Sequence, residues 1–228
     1  MLFRSSRLSV ADVDTALDDG TFDGARWLHL TGITPAVSAS AQAATARAAA
    51  IGREAGLTVS LDLNLRRRLW SDATAAPVLR ELAAQAEVLF GSDDELAVVA
   101  GVPPADAPEH DPAALARACL DVGPRVVVAK LGGGGATIVA RDEVEAIHRP
   151  AVPLVTVVDP VGAGDAFCAG FIAARLDGAE LAEALEIANA CGAAAAAALG
   201  DQTGLPSPAQ VAAIRHAHMT GGGPDTLR

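Results

Sequence analysis

Val157-Val158-Asp159-Pro160-Val161-Gly162-Ala163-Gly164-Asp165-Ala166-Phe167 decides how the rest of the chain is read. The β-branched run Val155 to Val158 predicts a strand, and a proline and two glycines then turn the chain. From Ala163 to Leu176 there is no proline, and Phe167, Phe171 and Ala174 recur at helical spacing. The stretch therefore reads as a strand, a glycine turn and a buried helix with an acid in its first turn. The first N–H groups of a helix have no intrahelical partner and point forward, and the helix dipole makes that end positive. Glycine lets backbone approach a ligand closely. The amides of Gly162, Ala163 and Gly164 form a cradle for an anion, above all a phosphate. Asp165 stands beside it as a carboxylate, and a phosphate holder next to a base points to phosphoryl transfer onto a hydroxyl. The tripeptide alone does not separate this from a plain packing turn. An acid in a first helical turn is favourable by about 0.3–1 kcal/mol through the dipole in any case.

The totals narrow the classes. A chain of 228 residues with 51% hydrophobic content can bury a substantial core, with one domain as the default. A net charge of −11 argues against nucleic acid or an anionic membrane as partner. Cys119, Cys168 and Cys191 make no paired framework, and the latter two sit in apolar helical stretches as small core residues. No charged-then-apolar leader opens the sequence, and the alanine-rich run near 190–199 is too short to span a bilayer. The expectation is a soluble, reduced, cytoplasmic protein. The five histidines form no ligand constellation.

Elsewhere strands and helices alternate. Ser9 with Asp12 three residues on starts a short helix. Strands are expected at 27–31, 57–63, 88–90, 125–130 and 136–140, with a second hairpin arm over 143–148. Helices are expected at 35–55, 73–86, 93–100, 112–120, 163–176, 181–199 and 207–218. The proline-rich stretch 103–112 is read as a surface loop. Such alternation predicts a mostly parallel sheet covered by helices on both faces, with ligands beyond the carboxyl ends of the strands. Asp62 to Arg66, Glu95, Lys130 to Gly135 and Asp159 to Asp165 all fall at such ends.

The full string Asp159-x-x-Gly162-Ala163-Gly164-Asp165-Ala166-Phe167-x-x-Gly170-Phe171 resembles the C-terminal signature of the ribokinase-like (PfkB) sugar kinases. The resemblance runs from about Arg4 to Pro206. It implies an α/β/α three-layer fold, ATP, Mg2+, a monovalent cation as a further ion, and a homodimer as one assembly. It makes Asp165 the base that orients the acceptor hydroxyl, and Gly162, Ala163 and Gly164 the donors for the transferred group. Lys130-x-Gly132-x-x-Gly135-Ala136 matches a stretch that lies by the nucleotide in the family, and Asn189 matches a position near the adenine. Glu95 matches the acid of an Asn-x-x-Glu pattern linked to magnesium and phosphate, although Ser92 stands in place of the Asn.

Asp62-x-Asn64-x-Arg66-x-x-Leu69-Trp70 resembles the sugar-side motif of the 2-keto-3-deoxygluconate kinase branch. Its substrate carries a carboxylate, which Arg66 suits as a bidentate cation. Arg4 falls where that branch has another substrate arginine, and Asp201, in Gly200-Asp201-x-x-Gly204-Leu205-Pro206, would accept from a substrate hydroxyl. From the residues alone, the glycines after Lys130 are equally a hairpin turn and the three arginines at 66–68 a solvated loop. Asp201 is equally a turn acid.

The sequence departs from the family pattern at its start. The opening strand with its Gly-Gly sugar motif and the small β-sheet lid have no counterpart, so the expectation is an intact phosphate cradle with weak or lost sugar affinity. The kinase domain is assigned to residues 1–219, N-terminally incomplete, with a disordered tail over 220–228. The leading function is ATP-dependent phosphorylation of 2-keto-3-deoxygluconate at its 6-position. The alternatives are a kinase for a neutral sugar such as fructose or ribose, and a nucleotide-binding remnant without turnover.

Overall fold

The computed structural model describes residues 8–103, 111–153 and 156–219. Arg4, most of the proline-rich loop and the expected tail lie outside the described residues. The strands form one sheet in the order β1-β2-β3-β4-β5-β6, and the chain divides into two compact units.

The first unit runs to Ala129 and includes 139–145. Helix α1 (Val10–Asp18) starts as expected: Ser9 donates from its backbone N and its Oγ to Asp12 Oδ2, at 2.8 and 2.7 Å. Strand β1 (Trp27–Thr31) follows, then α2 (Ile33–Val37) and α3 (Ala39–Glu54). The sequence predicts a single helix here. Ser38 instead adopts an extended backbone, and its Oγ accepts from Ala41 N at 3.1 Å, so it ends one helix and caps the next. Strand β2 (Thr58–Asp62), α4 (Asp72–Ala83), β3 (Val88–Gly91), α5 (Asp93–Ala100), α6 (Pro112–Leu120) and β4 (Val126–Lys130) complete the series.

Strands β1 to β4 pair in parallel, with Thr31 opposite Asp62 and Gly91 opposite Ala129. In β2, β3 and β4, Val59, Leu61, Leu89, Phe90, Val127 and Val128 are buried, as expected of interior parallel strands shielded on both faces. Each fully buried Leu or Phe contributes roughly 1.5–3 kcal/mol. The first-unit thiol Cys119 is buried, and burial pushes its pKa up to about 12. This matches a core role.

The second unit comprises 130–138 and 146 onward. Lys130 closes β4, a 3-10 turn covers Gly132–Gly134, and β5 (Ala136–Ala140) pairs antiparallel with β6 (Ile147–Arg149). Three helices follow: α7 (Ala163–Leu176), α8 (Leu181–Ala196) and α9 (Pro208–Met219). Ala166, Cys191 and Ala195 form a cluster with Ile187 and Val211, so small residues set how closely these helices pack.

One expected element is absent. Residues 156–158 are not a strand, and Val157 and Val158 are exposed. Their backbone is held by the end of α8: the N–H groups of Val158 and Asp159 both donate to Ala196 O, at 2.9 and 3.2 Å. A β-branched run proposes a strand, but without a neighbouring strand to complete the ladder it stays irregular.

Candidate active site

The second unit holds a cleft of about 590 Å3. Its walls come from the glycine turn after β4, the strap 151–153 after β6, the start of α7 and one face of α8. Lys130, Gly132 and Gly135 line it, together with Ala163, Gly164 and Asn189. Six of the residues singled out in the sequence thus meet in one place.

The turn into α7 is built around Asp159. Its Oδ1 accepts from Val161 N at 3.0 Å and its Oδ2 from Gly200 N at 3.1 Å. Gly162 then takes φ +80°, a left-handed conformation, and a Cβ there would lie 2.8 Å from Asp201 Cα. Only glycine fits this position on both counts. Of the expected amide cradle, the Ala163 N–H is already engaged, donating to Pro160 O at 3.3 Å. Among the described residues the Gly162 and Gly164 amides have no acceptor, and they lie at the end where the helix dipole is positive. A Cβ placed on Gly164 would lie 3.7 Å from Lys130 Nζ, which brings an ammonium group to the same helix end. The Asp165 side chain is exposed and, among the described residues, makes no hydrogen bond or ion pair. Amides, a cation and a carboxylate so arranged can hold a phosphate and orient a hydroxyl beside it.

Asn189 is buried, and its Nδ2 donates to Arg149 O at 3.1 Å and Pro150 O at 3.0 Å. Two carbonyls as acceptors set the amide orientation, so only its Oδ1 is left for a ligand. Its cost to the helix is offset by fixing the strap. Ala136 is fully buried at the start of β5, inside the sheet and not on the cleft wall. Asp201 is exposed, its backbone packed against Gly162.

The sugar-side residues belong to the first unit. Asp62 ends β2 and is buried, with its backbone O accepting from Gly32 N at 2.8 Å. Asn64 has φ +35°, so the chain bends sharply into the arginine loop. Glu95 carries that loop: Oε1 accepts from Leu65 N at 2.7 Å and Oε2 from Ser92 N at 2.9 Å. These bonds give Glu95 a capping and loop-holding role. Arg67 is paired with Asp72 at 2.9 Å and Asp94 at 2.5 Å, which raises its pKa further. Arg66 is exposed and has no such pair among the described residues.

The family model of pfkB family carbohydrate kinases matches residues 8–208. The chain belongs to the pfkB family of carbohydrate kinases. Among curated relatives, 2-dehydro-3-deoxygluconokinase of Bacillus subtilis is 36% identical over 200 residues, covering 87% of this chain and 59% of that protein. Fructokinase of Klebsiella pneumoniae is 33% identical, covering 81% and 59%. The crystal structure of aminoimidazole riboside kinase from Salmonella enterica, complexed with aminoimidazole riboside and an ATP analog, superposes with a TM-score of 0.69 at 33% identity. That match covers 83% of this chain and 62% of the solved one. The pfkB chain thus spans about 59% of the length of the curated relatives it matches.

Among the described residues of this pfkB chain, no group of three His, Cys, Asp or Glu side chains is placed to hold a metal. Among the described residues no helix is long and apolar enough to cross a membrane.

Two contributors escaped the sequence reading. Asp159 was visible as an acid before a proline turn, the setting of an Asx-turn. Glu186 carried no local signal. Burial raises its pKa, but Arg149 and Arg215 outweigh this and hold the carboxyl below its usual 4.5. The stability it contributes is therefore complete above about pH 4.5 and is lost as pH falls through the lower folded pKa. Urea unfolding of the unaltered chain and Glu186→Gln should accordingly show a stability gap at neutral pH that closes toward about pH 3. A constant gap would count against an ionised tether.

Proposed function

We propose that the chain is an ATP-dependent sugar kinase whose acceptor is 2-keto-3-deoxygluconate. The observation that supports the kinase reading is the start of α7, where Gly164 lines the cleft beside the Lys130 ammonium and the exposed Asp165 follows it in the same helical turn, outside the cleft lining. The acceptor oxygen attacks the γ-phosphorus, the bond to the β–γ bridging oxygen breaks, ADP leaves, and the hydroxyl proton passes to Asp165. Phosphoryl transfer has a loose transition state and depends on positioning more than on base strength, so an ordinary carboxylate suffices. The open amides and Lys130 stabilise charge on the transferred group. Mg2+, when bound, would supply further neutralisation of the phosphate charge.

The sugar acid is favoured by the exposed guanidinium of Arg66, which has no acidic partner among the described residues. A neutral sugar is the second reading, supported by a fructokinase of nearly equal similarity. Coupled ADP-release assays with 2-keto-3-deoxygluconate and fructose separate them. With the sugar acid as substrate, Arg66→Gln should lower kcat/KM about 10- to 100-fold, the size of one charge-assisted hydrogen bond, and leave fructose turnover unchanged. Equal losses on both sugars, or a preference for fructose in the unaltered chain, would overturn the sugar-acid assignment. Binding of ATP without turnover of any sugar would point to the nucleotide-binding alternative.

A further inference from the structure

We propose that Glu186, together with Asn189, clamps the strap that walls the nucleotide cleft and thereby sets nucleotide affinity; Glu186 is a positioning residue. This rests on the kinase assignment above. Glu186 and Asn189 stand three residues apart on α8 and so share one helix face. From that face both reach the start of the strap. Asn189 takes the carbonyls of Arg149 and Pro150. Glu186 Oε1 accepts from Arg149 Nε at 2.8 Å. Its Oε2 accepts from Arg215 Nη2 of α9 at 3.1 Å, and Arg215 also donates to Glu183 at 3.2 Å. Glu186 therefore links the strap, α8 and α9 in one network.

From its other side the strap is pressed by Gly135, where a Cβ would lie 2.1 Å from Arg149 O and 2.6 Å from Ala151 N. The strap is gripped between the glycine turn and α8. Ala151, Val152 and Pro153, the next residues along it, face the cleft together with Asn189. Glu186 touches no reacting atom, yet the cleft wall depends on the bond it makes.

The test compares the full chain with Glu186→Gln and Glu183→Gln, which disturbs only the α9 end of the network. Calorimetry with a non-hydrolysable ATP analogue gives affinity, hydrogen exchange at Ala151 and Val152 reports the strap, and steady-state assays separate KM from kcat. Glu186→Gln should weaken the analogue and raise the nucleotide KM about fivefold, the scale of one partly exposed ion pair. It should also speed strap exchange, with kcat and sugar KM unchanged, while Glu183→Gln leaves all of these as they were. Faster strap exchange with unaltered affinity would refute the clamp, as would unaltered exchange and affinity together. Failure of the unaltered chain to bind the analogue would instead remove the kinase assignment itself, and the clamp with it.

Discussion

Replacing Asp165 by Asn is expected to lower kcat about 10²- to 10⁴-fold, the usual contribution of a positioned general base, and to leave analogue binding in place. The physical reason is local. Asp165 sits in the first turn of α7, exposed, with no hydrogen bond or ion pair among the described residues. Its removal breaks no fold contact and leaves the Gly162 and Gly164 amides and Lys130 where they were. The substitution also forfeits the favourable meeting of a carboxylate with the helix dipole, about 0.3–1 kcal/mol. Thermal stability should therefore drop only slightly while turnover collapses. Turnover within tenfold of the unaltered chain would mean that another group orients the acceptor. A large loss of stability would mean that Asp165 acts as a structural cap.

The second large effect is structural and reaches the same cleft. Gly135 has φ +88° and lies against the strap backbone, so the 2.1 Å approach of a Cβ to Arg149 O cannot be relieved by a side-chain rotation. Gly135→Ala adds the strain of a positive-φ backbone outside the left-handed helical region, about 1–3 kcal/mol, to an overpacking cost of about 1–3 kcal/mol. At roughly 2–4 °C per kcal/mol for a chain of this size, Tm should fall by about 4–24 °C. The strap can yield only by shifting against Asn189 and Glu186 on its other side, which disturbs their bonds to it, so nucleotide affinity should fall as well. Gly133→Ala is the matched control: the same turn and the same cleft, but nothing within 4 Å of the added methyl group. Similar melting curves for the two variants would show that the strap is not gripped at Gly135.

Much of the molecule was legible from local pattern. The alternation of buried runs such as Val126 to Lys130 with amphipathic helices announced a mostly parallel sheet, because interior parallel strands must be apolar on both faces. Ser9 with Asp12 marked a helix start, because capping chemistry is confined to neighbours in sequence. The site string from Asp159 to Phe171 was legible for the same reason: a glycine turn, a helix start and an acid form a unit over a few residues.

What the chain could not announce was anything decided by distant partners. Val157 and Val158 read as a strand, and they are irregular because strand identity needs a neighbour. Asn189 matches a position near the adenine, and its Nδ2 is given to carbonyls about forty residues away, at Arg149 and Pro150, which leaves its Oδ1 for a ligand. Glu95 matches an acid linked to magnesium in the family, and its oxygens also hold backbone, Oε1 at Leu65, 30 residues away, and Oε2 at Ser92. By itself the sequence determined the family, the glycine-turn cradle and the acid beside it, since those are consequences of local backbone geometry. Only the tertiary structure decided which amides stay open and which polar side chains face solvent, because hydrogen-bond capacity is consumed by whichever group the fold brings within 3 Å or so.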